Sequence, residues 1–373
     1  MSGGNPIPGW YFPGWRHALL AAICMVAAGA VQASEAQPRG TEIGIATANI
    51  AWTPPSDMAA TFEEIRQSGF TSVRIGLKEP RARAYAAFAA AKQAGLGIVV
   101  TVPLIDGAVA TKDATPRAKA GSFFPAYGLS QIDLERLRAR IDDLLAYAAD
   151  AQIDLLGIEL GNEINWSGYN GDLPLVAGGN VIERADGLPN RFIAGLDLYG
   201  RAISLVRERL AADAAFKNVT LVTAGLADIN AGFIKHSNAT YIAPDVMEEA
   251  LAARGIYQAA GAVGIHLYEP LRRANKGDRR TLIEQQLDSC GAPAFAGRPC
   301  WITEFGSALA PTACPVTDPR DDLLQPLLAH LARAGDAVPR AYYYDWNADK
   351  GFALERCGKL SDLVHDLAPT TLQ

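Results

Sequence analysis

Two glutamates that each follow a short apolar run are well suited to acid–base chemistry. Glu163 ends the stretch "DLLGIELGNE", and Glu304 lies inside "CWITEFG". A buried strand that ends on an amide and a carboxylate, where a plain turn would do, indicates a polar pocket above an apolar core. Two carboxylates in one pocket can divide the work, because one can donate a proton while the other attacks or stabilises a developing cation.

Further polar or aromatic side chains lie at the ends of other apolar runs. They are Arg74, Asn162, His266, Tyr268 and Trp346. Alternation along a strand places His266 and Tyr268 of "GIHLYEP" on one face, and it places Glu159 on the same face as Glu163. We therefore expect Glu159 to point inward as well, where a carboxylate needs a partner.

Eight apolar, β-branched runs must position these residues, and they alternate with helix-like segments from residue 42 onward. The runs are "EIGIATANI", "TSVRIGL", "LGIVVTVPL", "DLLGIEL", "VTLVTAG", "AVGIHLY", "CWITEF" and "RAYYYDW". Helices between successive strands require parallel pairing, and eight such units fit a closed barrel. We predict an α/β fold, a single-domain (β/α)8 TIM barrel over residues 34–373. An open doubly wound sheet is the alternative, but no Gly-x-Gly-x-x-Gly follows the first run.

Loops at the carboxyl ends of barrel strands build the site in folds of this kind. Loops 104–129, 164–190 and 306–320 are therefore predicted to wall a cleft. Carboxylates on the fourth and seventh strands would face each other across the barrel axis, and cleavage of a glycosidic bond needs such a pair. Trp346 offers a flat apolar face on which a sugar ring can pack, and Trp52 is a further candidate for sugar contact.

Four strand-end motifs together resemble glycoside hydrolase clan A, whose members are retaining (β/α)8 barrels. They are "GNE" on strand four, "HLY" on strand six, "TEFG" on strand seven and a Trp closing strand eight. The clan includes the family 5 cellulases and mannanases and the family 39 xylosidases, and the resemblance covers about residues 42–365. The third run, "IVVTVPL", lacks the His that family 5 usually has there, so the resemblance is to the clan rather than to that family.

The resemblance implies a retaining hydrolysis of β-linked glycans that uses no cofactor and no metal. Glu163 would be the general acid/base, and Glu304 would be the nucleophile. Asn162 would bind the 2-hydroxyl of a carbohydrate substrate. The sugar, the linkage and the choice between endo and exo action do not follow from the sequence.

The same resemblance implies supporting roles for the remaining strand-end residues. Arg74 and Tyr268 would support the nucleophile, by charge and by a hydrogen bond. His266 would line the site near the acid/base. Trp346 would form the platform beneath the sugar that is attacked.

Charge and the amino-terminal segment bear on partners and location. The net charge is −6, and no Lys/Arg run could follow a phosphate backbone, so nucleic acid is not an expected partner. The first 33 residues are typical of a signal peptide, because Arg16 precedes the apolar run "ALLAAICMVAAGAV" and "VQA" stands before Ser34. We expect a secreted or periplasmic monomer with no integral membrane span after cleavage. An uncleaved anchor is the alternative, although the run is shorter than the roughly 20 residues that span a bilayer.

Four cysteines follow the predicted cleavage point, and in an oxidising compartment they allow three full pairings. They are Cys290, Cys300, Cys314 and Cys357. We favour Cys290–Cys300 and Cys314–Cys357, which would hold the loops around the last two strands. Buried thiols are the alternative, and without Cys-x-x-Cys or a His cluster a zinc site is not expected.

Other interpretations of the same residues remain open. The two glutamates could form a structural ion pair on a barrel rim. A non-catalytic carbohydrate-binding barrel of an exopolysaccharide system would need a similar cleft. A Schiff-base lyase would need a desolvated lysine at a strand end, for which Lys78 is the candidate. A serine hydrolase is disfavoured because no Gly-x-Ser-x-Gly occurs.

Overall fold

A computed structural model describes residues 40–47, 49–120, 123–229, 231–268, 287–309, 318–348 and 351–368. The predicted signal peptide, residues 1–33, lies outside the described residues, as does Cys314. Cleavage of that segment and the Cys314–Cys357 pairing therefore stay predictions. The Cys290–Cys300 disulfide is confirmed, and it joins the chain before a barrel strand to the first residue of that strand.

Eight parallel strands form the barrel. In chain order, the strands of the described residues are β1 Glu42–Ala46, β2 Ser72–Gly76, β3 Gly97–Val102, β4 Leu155–Leu160, β5 Asn180–Ile182, β6 Thr220–Thr223, β7 Thr240–Ile242, β8 Val263–Leu267, β9 Cys300–Phe305, β10 Arg340–Tyr344, β11 Glu355–Arg356 and β12 Lys359–Leu360. The barrel order is β6-β4-β3-β2-β1-β10-β9-β8. Parallel bridges from Val222 to Ala262 and from Leu226 to Ile265 connect its two ends. The predicted (β/α)8 barrel and all eight predicted strands are confirmed.

Helices pack around the barrel between its strands. Those of the described residues are α1 Pro55–Gln67, α2 Arg81–Gln93, α3 Leu134–Asp150, α4 Asn190–Ala211, α5 Ala231–Ser237, α6 Pro244–Ala252, α7 Ile256–Ala259, α8 Arg320–Ala334 and α9 Leu363–Leu367. Local chemistry fixes their starts: Pro55 occupies the first position of α1, and Asp133 caps α3 by accepting from two backbone N–H groups. Within the described part of the chain, no helix is both long and apolar enough to cross a membrane.

The barrel interior is filled below the site by two large aromatic residues. Trp301 and Tyr342 are buried there with small neighbours. A Cβ on Gly157 would lie 2.8 Å from Trp301, and one on Gly44 would lie 2.7 Å from Tyr342. Glycine at these two positions makes room for the rings, and the rings form an apolar floor beneath the polar strand ends.

Two small sheets lie outside the barrel, and neither was expected from the sequence. β5 pairs in parallel with β7, and β11 pairs with β12 as an antiparallel ribbon. The β5–β7 pair ties the loop after β4 to the chain that follows β6, and Trp166 also bridges to Tyr241. The loop predicted over 164–190 is therefore an ordered wall that ends in β5 and the start of α4.

Candidate active site

A cleft of about 880 Å³ opens at the carboxyl ends of the barrel strands. Its floor includes Arg74, Asn162, Glu163, Tyr268 and Glu304, and aromatic side chains border it on several sides. The barrel thus brings together five of the seven residues singled out from the sequence. They come from β2, the end of β4, the end of β8 and β9.

Glu304 is held in its ionised form by its neighbours. Its Oε1 accepts a hydrogen bond from Arg74 at 2.6 Å, and its Oε2 accepts one from the Tyr268 hydroxyl. Burial alone would raise the pKa of Glu304, but the charges of His266 and Arg74 and the Tyr268 hydrogen bond outweigh it, so the pKa is lowered. Burial and the Glu304 charge raise the pKa of Tyr268 well above its ordinary value, so this phenol remains a donor.

Glu163 reaches the cleft through a turn rather than as part of a strand. β4 ends at Leu160, and the chain then passes through positive φ at Gly161 (92°) and at Glu163 (47°). A left-handed conformation is uncommon for a residue with a side chain and is typical of functional sites. The Glu163 N–H donates to the Gly225 carbonyl at 2.9 Å, which holds this turn against the chain after β6.

Two donors orient the Glu163 carboxyl group. Trp166 Nε1 donates to its Oε2 at 3.0 Å, and His266 Nδ1 lies 3.1 Å from its Oε1. One oxygen of Glu163, one oxygen of Glu304 and a ring nitrogen of His266 all lie within 4.8 Å of one another. The two carboxyl groups therefore face one small volume at the cleft floor.

These three residues are also the kind of group that can bind a metal ion. The surrounding charges oppose metal binding. Arg74 binds the Glu304 carboxylate directly, and His266, whose pKa is raised to about 10, carries a positive charge. A divalent cation would have to approach both positive charges. The charges around this donor set therefore disfavour a resident metal ion.

A buried ion pair lies beneath the cleft floor. Arg74 donates from Nε to Glu159 at 2.7 Å and from another nitrogen to Asn162 Oδ1 at 2.8 Å. Glu159 also accepts from Thr101 Oγ1 at 2.8 Å and from the Gly225 N–H at 3.1 Å. Burial would raise the pKa of Glu159, but Arg74 and His266 lower it to about 2. The expectation that Glu159 points inward to a partner is confirmed.

His266 lies in a different place from the one expected for a substrate-binding residue. Its side chain is fully buried and does not border the cleft. Burial lowers its pKa, yet the charges and hydrogen bonds of Glu304, Glu159 and Glu163 outweigh this and raise the pKa to about 10. His266 is therefore an imidazolium that positions Glu163; it lies beside Glu163 as expected, but it does not line the cleft in which a substrate would bind.

Trp346 does not form a sugar platform either. Its side chain is 1% exposed, packs edge-on against Phe70 and lies with its indole nitrogen 3.3 Å from Glu64. The prediction placed Trp346 at the end of the eighth strand, but β10 ends at Tyr344 and the chain then leaves the sheet. Tyr344 borders the cleft instead, together with Phe352, which no sequence signal marked.

Several cleft residues lie on loops beyond the strand ends. Trp52, 53% exposed, borders one side of the cleft, and Phe124, 43% exposed, borders it from the loop after β3. Asn49 and Lys78 also border it. Trp52 and Lys78 had been considered from their positions just after strands, whereas Asn49 and Phe124 carry no sequence signal that separates them from ordinary loop residues.

Comparison with known proteins gives matches in structure alone, since no family model and no curated protein matches the sequence. Among solved structures, a beta-glucuronidase 2 of Bacteroides uniformis, in a calcium-binding mutant form, superposes with a TM-score of 0.53 at 12% identity, over 87% of this chain and 34% of that one. An exo-beta-1,4-mannosidase from Opitutaceae bacterium strain TAV5 gives 0.52 at 15% identity, over 90% and 59%.

An endo-1,4-beta-mannanase from Rhizomucor miehei gives a TM-score of 0.50 at 12% identity, over 90% of this chain and 94% of that chain. This chain thus spans about a third of the glucuronidase and nearly the whole of the mannanase. At these identities the likeness establishes the shared barrel fold.

Proposed function

We propose that this protein is a retaining glycoside hydrolase of the clan A type that cleaves β-glycosidic bonds of an oligosaccharide or polysaccharide. The observation that carries the proposal is the Glu163–Glu304 pair, whose oxygens lie within 4.8 Å of each other at the cleft floor. Double displacement needs carboxyl groups roughly 5 Å apart, whereas inversion needs more room for a water molecule. The structural neighbours support the proposal, since their names describe enzymes that act on beta-linked sugars.

In the first step Glu304 attacks the anomeric carbon, and an ester bond to the sugar forms as the glycosidic bond breaks. Glu163 donates its proton to the departing oxygen at the same time. The lowered pKa of Glu304 keeps the nucleophile ionised before attack. Tyr268 and Arg74 hold both of its oxygens, which fixes the carboxylate for attack on the sugar.

In the second step Glu163, now a carboxylate, takes a proton from water while that water attacks the anomeric carbon. The ester bond to Glu304 breaks, and both residues return to their starting states. Asn162 is positioned to bind the sugar. Because its Oδ1 accepts from Arg74, its amide nitrogen is the group left to donate to a sugar hydroxyl.

The cellular setting is part of the same proposal. A secreted or periplasmic monomer that meets polysaccharide outside the cytoplasm is consistent with the predicted signal peptide and with the Cys290–Cys300 disulfide. Mass determination of the mature protein from its native host would test cleavage after Ala33.

The decisive experiment is intact-protein mass spectrometry after treatment with a panel of 2-deoxy-2-fluoro glycosyl fluorides. We expect the wild type to gain the mass of one fluorosugar, with the label on the peptide that contains Glu304. Glu304→Gln should gain none. Glu163→Gln should gain the label, because fluoride leaves without a proton, and should lose it more slowly than the wild type does.

Glu135→Gln is the matched control, because Glu135 lies on the exposed face of α3 and should label as the wild type does. Labelling that persists in Glu304→Gln would disprove the assignment of the nucleophile. Glycan binding without label or turnover would favour the non-catalytic carbohydrate-binding barrel.

One observation favours a second candidate function, a Schiff-base lyase. Lys78 borders the cleft, and burial together with the Arg74 charge lowers its pKa, which is what a nucleophilic amine requires. That chemistry leaves the paired glutamates without a shared role. Borohydride treatment in the presence of carbonyl compounds would fix a carbon adduct on Lys78 if the lyase interpretation were correct.

A further inference from the structure

Lys78 is a partly buried cation in the cleft wall that the proposed mechanism does not use. It follows β2 by two residues, and its Nζ donates to Asn49 Oδ1 at 2.8 Å. An ammonium group has three donors, so two remain for a ligand in the cleft. Asn49 likewise keeps its amide nitrogen as a donor, because its oxygen already accepts from Lys78.

The acidic residues next to Lys78 are bound to another cation. Glu79 and Asp106 both border the cleft, and both pair with the guanidinium of Arg140, which is 4% exposed. No carboxylate of the described residues forms an ion pair with Lys78. A neutral amide oxygen thus accepts the hydrogen bond of a desolvated ammonium.

Keeping the Lys78 ammonium charged in this setting costs free energy when no ligand is bound. Burial lowers the pKa of Lys78, and the nearby positive charge of Arg74 lowers it further, while the more favourable charge of Glu304 offsets only part of this. Lys78 and Glu304 border the same cleft. An anionic group that bound between Lys78 and Asn49 would relieve the unfavourable burial, which a neutral hydroxyl would do less well.

We propose that the cleft takes a sugar that carries a carboxylate, a uronic acid, with Lys78 and Asn49 as its recognition pair beside Glu304. This inference rests on the proposed glycoside hydrolase function and names its substrate class. Lys78 is then a specificity-determining residue, and the substrate is an acidic β-linked glycan rather than a neutral one.

The test is a binding measurement, so that it does not depend on turnover. Isothermal titration of the Glu304→Gln variant would compare a β-1,4-linked glucose tetramer with the β-1,4-linked glucuronic acid tetramer, and the β-1,3-linked pair in the same way. We expect at least one acidic tetramer to bind roughly 10-fold to 100-fold more tightly than its neutral counterpart, as a charge-assisted hydrogen bond in a desolvated site provides.

Variants at position 78 show whether Lys78 causes the preference. Lys78→Met in the Glu304→Gln background should remove it, and Lys78→Arg should keep most of it. Lys217→Met is the matched control, because it removes the same charge from an exposed position before β6, at the opposite end of the barrel. That variant should keep the full preference.

Two results would overturn the inference. In the first, no acidic tetramer binds more tightly than its neutral counterpart. In the second, the preference survives in Lys78→Met. Neither result affects the proposed hydrolase function, because the fluorosugar label tests Glu304 independently. A Lys78-dependent preference without label or turnover would instead retain the acidic-sugar site and favour the non-catalytic carbohydrate-binding barrel.

Discussion

Glu304 depends on three neighbours that come from two other strands, Arg74 from β2 and His266 and Tyr268 from the end of β8. Arg74 and Tyr268 each bind one oxygen, and His266 adds charge from below at 3.7 Å. Their combined effect is larger than the penalty of burial, which is why the pKa of this carboxyl is lowered although Glu304 is only 7% exposed. A buried carboxylate of this kind keeps its charge through hydrogen bonds and neighbouring charges rather than through solvent.

Tyr268→Phe should raise the pKa of Glu304, because it removes a hydrogen bond that favours the charged form. We expect the acidic limb of the pH profile of kcat/KM to move up by about one unit and kcat/KM itself to fall roughly 10-fold to 100-fold. The phenyl ring keeps the contacts with Tyr344 and Phe352, so packing is preserved.

Tyr127→Phe is the control for this prediction, because Tyr127 borders the same cleft and makes no recorded hydrogen bond to Glu304. Its acidic limb should match that of the wild type. An unchanged acidic limb in Tyr268→Phe would show that the phenol does not control the ionisation of the nucleophile.

Among the elements, the chain just after β6 supports both Glu163 and the buried ion pair beneath the cleft floor. The Gly225 N–H donates to Glu159, its carbonyl accepts from Glu163, and a Cβ there would lie 2.2 Å from the His266 ring. Glycine at this position is therefore required by close packing, and one short segment connects Glu163 to the ion pair beneath it.

Gly225→Ala should displace the His266 ring, which is buried and cannot move into solvent. We expect a loss of about 1–3 kcal/mol in the free energy of unfolding, typical of overpacking, and a lower kcat. Urea denaturation and steady-state kinetics would measure both. Gly200→Ala in α4 is the control: its Cβ would meet only Ile256 at 3.6 Å, and helix propensity predicts a gain of up to about 1 kcal/mol. Equal stability of Gly225→Ala and the wild type would contradict the packing argument.

The barrel strands were predictable because strands buried on both faces appear as continuous apolar runs. β3 and β4 are examples, and the polar residues that follow β4 were placed at its carboxyl end. Once parallel pairing is inferred, the carboxyl ends must share one rim, and this brings Arg74, Glu163 and Glu304 together without knowledge of distances.

The errors arose where the chain leaves a regular element. Trp346 lies two residues beyond the end of β10, so the direction of its side chain does not follow from the strand. β5 and β7 have three residues each and lie among loop residues, where no periodicity can develop. The burial of His266 depends on the turn that carries Glu163 over it, and a strand pattern does not predict that turn.

At the scale of the whole molecule, four buried charges connect strands that are far apart in sequence. Arg74 lies on β2, Glu159 on β4, His266 on β8 and Glu304 on β9. Two positive and two negative groups balance one another, so the network avoids the cost of an uncompensated charge in the barrel. Stability of the fold and the charge state of the site are therefore linked.

The linkage predicts how stability changes with pH. The pKa of His266 is about 10 in the folded protein and 6.5 for an ordinary histidine, so its imidazolium stabilises the fold fully below pH 6.5. This contribution is lost as the pH rises from 6.5 towards 10. Each pKa unit corresponds to about 1.4 kcal/mol, so the loss amounts to a few kcal/mol across that window.

Urea denaturation of the wild type and of His266→Gln at pH 6.5, 8 and 9.5 isolates the contribution of His266 to stability, because the other groups that titrate in that range are common to both proteins. The difference in free energy of unfolding should be largest at pH 6.5 and should shrink steadily at the higher values. His365→Gln, exposed on α9, is the control and should follow the wild type at every pH. A constant difference between wild type and His266→Gln would mean that His266 is neutral in the folded protein, and the acid/base would then lack the positive neighbour that the geometry gives it.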